Sequence, residues 1–537
     1  MRLIDRVIYN ANIITLDSRQ PRASAIAIRD NRIFAVGSDD DMLLLASAET
    51  TRENAGGATI IPGLTDAHIH WEQTARGLQQ VNLFEVPQKS IAVERVAARA
   101  ATTPAGEWVT GYGWFQDIWD GAAFPSAADL DAITPNHPVF MTAKSFHAGW
   151  VNSYALRLAG ITASTPDPDG GHIVKDADGN PTGLLLELSA MDLVRAYIPK
   201  FTPSQVADQM KYAQELALSY GLTGIHDFDE PSALVGIQIL RERGELGLRT
   251  LKNINKDWLS AALDSGLRVG FGDDWIRIGA LKMFADGALG PHTALMIDPY
   301  IGEPENYGIR TIEPEEMTEL MSRASAAGLP STVHAIGDRA IHDVLDAIEI
   351  VRGQEAKRGE APSTRRHRIE HVQVIHPKDV HRLAELKVIA SMQPLHATSD
   401  MLTSDKVWGD RSRLAYNPRV QLDQGVICAF GSDSPVEPFD PFTGIHAAVT
   451  RQRPDGSPGP DGWYPEARLT VEETLHGYTT GAAYAAGMED RLGKLAPGFL
   501  ADLVVINHDL YNILPAEILK TKVHGTMVDG VWRHGGL

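Results

Sequence analysis

The feature that most restricts the fold is an alternation through the middle of the chain, in which short β-prone apolar runs are followed by helix-like stretches. Strand candidates fall near residues 64–70, 222–228, 248–252, 276–284, 331–335, 368–372, 388–393 and 426–433. One intervening helix is well punctuated. Thr202 is its N-cap and Pro203 its first residue, an amphipathic run continues through Tyr220, and Gly221 stops it. Further helices are expected at Glu315 to Ala327, Arg339 to Val351 and Pro377 to Leu386. Alternation of this kind implies parallel βα units, and eight of them make an α/β fold of the (β/α)₈ TIM-barrel type, expected over residues 62–485. The gap between the first two strands is too long for one crossover. It is expected to hold an insertion, residues 85–200, that covers a substrate pocket.

Both ends of the chain read as β structure. Val7 to Tyr9, Asn12 to Leu16, Ala25 to Ile28 and Arg32 to Gly37 are short β-prone runs broken by polar turns. Ala501 to Ile506, Val523 to Val528 and Val531-Trp532 after the turn Asp529-Gly530 repeat the pattern. A single small β-sandwich built from residues 1–61 and 486–537 is the expected arrangement.

Bulk properties exclude several function classes. At 537 residues with 43% hydrophobic and 22% charged residues, the chain has the composition of a folded globular protein of more than one domain. Its formal charge of −20 argues against a nucleic-acid or anionic-membrane partner. The lone cysteine, Cys428, sits in an apolar run and excludes an internal disulfide. No signal-peptide h-region or apolar run of transmembrane length is present, so a cytoplasmic address is expected. The expected partner is a small-molecule substrate, and a homo-oligomer is compatible with the sequence.

Chemistry concentrates at the strand ends. His68 and His70 lie two apart in a strand and so share a face. At the C-terminal end of a barrel strand that face is the active-site mouth. Paired imidazoles there suit zinc, although a lone His-x-His is weak evidence. His334, His371 and Asp433 each end another proposed strand. Singly, each could be a polar residue bonded to a loop; four strand ends agreeing is hard to explain that way. Lys282 lies among apolar neighbours in the strand Ile278 to Phe284. It is either paired with Asp286, a snorkelling surface lysine, or a modified lysine acting as a ligand.

The segments PGLTDAHIH, LKMFADGALG, HAIGD, RIEH and GSDSPVEP resemble the ordered metal motifs of the amidohydrolase superfamily. They are most similar to amidohydrolase family 3, which includes N-substituted formamide deformylases. The likeness runs over nearly the whole chain. It implies one metal on His68, His70 and Asp433, and a second on His334 and His371, with Lys282 carbamylated between them. With Lys282 unmodified, a single metal on His68, His70, His334 and Asp433 is the alternative. A bound Zn²⁺ lowers the pKa of its water and polarises a carbonyl; Asp433 would then be the general base, with His371 beside it in the catalytic set.

For substrate recognition the resemblance points to the insertion. The segments Gly111 to Asp117 and Lys144 to Ser153 are similar to family 3 signatures, and His147 occupies the motif histidine. Ser145-Phe146 stand where small or acidic residues are commoner in the family. Trp114, Glu187 and Asp286 are further pocket candidates, while Trp114, Trp119 and Trp150 could equally form the insertion's own core. The reaction expected is hydrolysis of an amide or N-formyl C–N bond. Deamination, carbamate cleavage and ester hydrolysis are rivals on the same site, and a non-catalytic scaffold is disfavoured because every ligand position is occupied.

Overall fold

The structure, a computed structural model, describes residues 4–84, 86–144 and 147–537. Ser145 and Phe146 lie outside the described residues. The chain divides into two compact units, Met1–Thr74 with Met210–Leu537, and Ala75–Gln209. The insertion was expected over 85–200.

In the larger unit, eight parallel strands run in sequence order. They are β1 (Leu64–Ile69), β2 (Leu222–Asp227), β3 (Arg249–Asn255), β4 (Ile276–Phe284), β5 (Ser331–Ala335), β6 (Arg368–His371), β7 (Ile389–Met392) and β8 (Cys428–Phe430). Hydrogen bonds beyond the end of β8 bring it onto β1. Asp433 N donates to His68 O at 2.7 Å, Ser432 N to Asp66 Oδ1 at 3.0 Å, and His70 N to Ser434 O at 2.9 Å. This approach needs glycine at position 431, where a Cβ would stand 2.4 Å from His68 N. The barrel therefore closes at the strand ends that carry the expected ligands.

Helices lie between the strands, among them Pro203–Ser219, Pro314–Ala326 and Asp338–Lys357. The helix expected over 377–386 shrinks to Arg382–Glu385. Asp379 lies 3.1 Å from both His342 Nδ1 and Arg382 NH1, and residues 377–381 are held as turns around it. Among the described residues no helix is long and apolar enough to cross a membrane.

The same unit contains two further sheets. One orders Arg32–Gly37, Ala25–Arg29, Arg6–Tyr9 and Thr51–Asn54. The other joins both ends of the chain, with Thr59–Pro62 antiparallel to Leu503–Ile506 in the register Leu503↔Pro62. Ile8, Ile26 and Ile28 from the first sheet pack with Ile60, Leu503, Val505 and Met527 from the second, making a sandwich core.

The smaller unit is a six-stranded mixed sheet with helices on its faces. Alternation in the strand Val139–Ala143 explains its layering. Val139, Met141 and Ala143 face a core with Trp114, Trp119, Trp150 and the helix Lys89–Thr102, while Phe140 faces the helix Glu187–Arg195.

Candidate metal centre

The strand ends of the barrel converge on Asp433. His68 Nε2 lies 3.3 Å and His70 Nε2 3.5 Å from Asp433 Oδ1, and donor atoms of all three lie within 4.8 Å of one another. His371 should point away from them, because it directly follows the inward-facing Glu370 and strand residues alternate. Positive φ at His371 (76°) and Val372 (43°) re-aims it, so that its ring centroid lies 4.9 Å from that of His68 and 4.6 Å from that of His334. Asp433 is also left-handed (φ 59°). Such backbone stores on the order of 1–3 kcal/mol per residue and clusters at functional sites.

The donors fit a cation. His68 Nε2 is buried with no hydrogen-bond partner among the described residues, an arrangement disfavoured unless a ligand completes it. Each imidazole is also held from behind. His68 Nδ1 is 2.5 Å from Glu370 Oε2, His70 Nδ1 3.1 Å from Asp229 Oδ1, and His371 Nδ1 2.8 Å from Gln393 Oε1. Outer oxygens of this kind fix the tautomer that leaves Nε2 free for metal. Nitrogen and carboxylate donors together suit zinc.

His334 is held differently, with Nε2 2.9 Å from Gly287 O, leaving Nδ1 as its available donor. Lys282 is buried, with Nζ 4.8 Å from the Phe228 ring centroid and 4.5 Å from that of Phe284. It does not pair with Asp286. That carboxylate instead accepts from Leu295 N (2.9 Å), Ile336 N (3.0 Å) and Gly337 N (2.8 Å), which ties three loop segments together.

Burial and charge set the protonation states. Burial pulls the Lys282 amine down to about 8 and pushes the Asp286 carboxyl up to about 7. Burial, helped by Lys282, takes His334 down to about 3, so it stays neutral. Burial would raise Asp433, but His68, His396 and His371 outweigh it and hold the carboxyl well below its usual range. Glu370 is likewise lowered, by Arg368 and His68 against burial.

Three residues of this site went unassigned in the sequence. Glu370 and Asp229 are the outer carboxylates, and the signal for Glu370 was an acid alternating with Arg368 on a buried strand. His396 is the third. It forms a second donor group with His371 and Asp433, also within 4.8 Å.

In the smaller unit, His147 and Glu187 meet. His147 Nδ1 is 2.8 Å from Glu187 Oε2, with side chains 64% and 54% exposed. Trp114, a candidate for either the pocket or the unit's own core, is 1% exposed. Its Nε1 donates to Met141 O at 2.9 Å, and its ring lies 6.2 Å from Trp119 and 6.5 Å from Trp150. Its place is in the core of the unit, because the indole has both its packing and its hydrogen bond satisfied there.

Fold and donor set together define a metal-dependent hydrolase on a TIM barrel. The chain belongs to the amidohydrolase family, whose sequence profile matches residues 53–534. It is 32% identical over 539 residues to Protein LONG AFTER FAR-RED 3 of Arabidopsis thaliana, covering 97% of this chain and 91% of that protein. It is 29% identical over 550 residues to an N-substituted formamide deformylase of Arthrobacter pascens, covering 99% and 98%. The crystal structure of an uncharacterized metal-dependent hydrolase from Pyrococcus furiosus matches with a TM-score of 0.76 at 29% identity, covering 94% of this chain and 100% of that one.

Proposed function

We propose that this chain is a zinc hydrolase that cleaves a non-peptide C–N bond, an amide or N-formyl amide of a small molecule, with Asp433 as general base. The observation that carries this reading is the buried, unpartnered His68 Nε2 set beside His70 Nε2 and Asp433 Oδ1. His68, His70 and Asp433 would hold one cation. Resemblance to the family gives His334, His371 and a carbamylated Lys282 to a second. A cation bound there supplies an acidified water and a polarised substrate carbonyl.

The chain's own residues do the rest. Asp433 stays ionised across the working pH range, so it can take the proton of the attacking water and return it to the leaving nitrogen. Lys282, with no carboxylate in ion-pair contact among the described residues and lowered by burial against the pull of Glu370 and Asp433, keeps an uncharged amine population near neutral pH. That amine adds carbon dioxide and loses a proton, giving the anionic carbamate. The relative described as a formamide deformylase favours an N-formyl substrate.

The test is metal analysis of the purified protein with a screen of N-formyl, N-acyl, carbamate and ester substrates. Bound zinc and N-formyl turnover that falls by about 10²–10⁴-fold in Asp433→Asn are expected. Absence of transition metal, or an Asp433→Asn variant as fast as wild type, would sink the reading.

A further inference from the structure

Away from the barrel mouth, the larger unit has a cleft of about 500 Å³. One wall is the loop between the strands Asn12–Ile14 and Arg22–Ala23, which begins with Leu16 in a left-handed conformation (φ 54°). The other is the helix Val471–His476, which continues into a π-helical turn, Gly477–Gly481. That turn lies against β8, where a Cβ on Gly481 would stand 2.0 Å from Cys428 O, while His476 and Thr480 line the cleft. Left-handed non-glycine residues and π turns are costly to keep and recur at functional sites.

Two charges around the cleft are left unmatched. Asp17 pairs with Arg19 at 2.8 Å and Arg22 with Asp509 at 3.1 Å. Among the described residues the side chains of Lys494 and Glu472, which also line the cleft, have neither ion pair nor hydrogen bond, and the Tyr511 hydroxyl has no hydrogen bond. Burial lowers the His476 imidazole, so it is neutral at pH 7, while Glu472 pulls it up and Lys494 pulls it down. The two unmatched charges therefore flank that ring. Burial also pushes the Tyr511 hydroxyl up to about 12, which keeps it a neutral donor. One cation, one anion and uncharged hydrogen-bonding groups thus stand over the buried side chains of Ile14 and Leu16.

We propose that this cleft binds a small zwitterion, a free α-amino acid, with its carboxylate on Lys494 and its ammonium on Glu472. A ligand of single charge leaves one of these groups unmatched, and an uncharged ligand leaves both. Ile14 and Leu16 offer an apolar floor for the amino-acid side chain, and the volume lies in the range of small-molecule sites. The inference is independent of the reaction proposed for the barrel mouth.

Calorimetric titration of full-length protein with each common amino acid tests it, before and after chelator treatment, so that coordination at the barrel mouth is separated from binding here. The amino acid bound most tightly is then compared with its N-acetyl and carboxamide forms, each of which keeps one charge. Binding should survive chelation. It should weaken about 10-fold in Lys494→Met, in Glu472→Gln and for each capped form. Neither side chain has a partner in the fold, so both variants should melt like wild type without ligand. The inference is overturned if no amino acid binds, if chelation abolishes binding, or if either variant binds as tightly as wild type. A capped form bound as tightly as the free amino acid also overturns it, in favour of a site for a single charge.

Discussion

The floor and the mouth of the barrel bury charge in opposite ways. At the floor, Arg249 is clamped by Asp502 at 2.6 and 2.9 Å, by Asp529 at 3.0 Å and by the Asp274 carbonyl at 2.8 Å. At the mouth, Lys282 has two aromatic faces and feels Glu370 and Asp433 only at a distance, with no carboxylate in ion-pair contact among the described residues, and among these His68 Nε2 has no hydrogen bond. Buried charges that are fully paired can be accounted for by the fold alone. Buried donors left open are expensive to keep, and persist where something else is meant to complete them.

The largest expected effect separates the two regions by activity. Lys282→Met should lower kcat/KM by about a thousandfold, the several kcal/mol a metal centre contributes to the transition state. Yet metal-free Lys282→Met should melt no lower than metal-free wild type, because it removes a buried ammonium that has no carboxylate in ion-pair contact among the described residues. A markedly lower melting temperature would mean that Lys282 is structural and would break the contrast. Arg249→Met should do the reverse. Leaving Asp502 buried and uncompensated should cost about 3–5 kcal/mol in urea unfolding, with turnover per folded molecule close to wild type.

A smaller effect tests the outer oxygens. Asp229 accepts from Glu72 N and Gln73 N through Oδ2 and faces His70 Nδ1 through Oδ1. In Asp229→Asn the amide oxygen can keep the backbone bonds, which turns its NH₂ toward His70. The imidazole must then accept at Nδ1 and carry its proton on Nε2, where the metal lone pair should be. Metal affinity should fall by about 10–100-fold with little change in melting of the metal-free protein. Unchanged affinity would show that Asp229 merely shapes the loop.

The same contrast explains what the sequence made legible. All eight barrel strands could be read, since each is a short apolar run between turn signals, and the ligands at their ends follow from strand alternation. His371 was placed by position alone; its inward aim depends on two left-handed residues that no pattern announces. Asp229 and His396 lie two and four residues beyond strand ends, in a loop and a helix start whose approach to the mouth is set by tertiary packing. Trp114 could have gone to pocket or core, and its satisfied indole N–H decides for core. Asp286 stands inside the LKMFADGALG segment, yet its carboxylate is engaged by the backbone amides of Leu295, Ile336 and Gly337, which come from other loops and so leave no mark on the local sequence.

The smallest effect concerns pH, and lies in a paired cluster away from the mouth. Glu355 is bonded to His367 Nε2 (3.0 Å), Ser325 Oγ (2.7 Å) and Arg352 NH1 (2.6 Å). His367 Nδ1 accepts from Ser331 N at 3.0 Å, so the proton sits on Nε2 and points at the carboxylate. Burial would raise the Glu355 carboxyl, but His367, Ser325 and Arg352 outweigh it and take it down to about 2. A carboxyl lowered on folding binds fewer protons in the native state than in the unfolded state between those two values. Its contribution is therefore complete above its ordinary value of 4.5 and is lost as pH falls toward about 2. Glu355→Gln can still accept from His367, so at pH 7 it should lose only about 1 kcal/mol. Its stability should also decline less than that of wild type between pH 4.5 and 2, measured by urea unfolding across that range. Parallel acid limbs for the two proteins would mean that the floor's ion pairs carry no more pH dependence than its neutral contacts, and would remove the distinction from the mouth on this point.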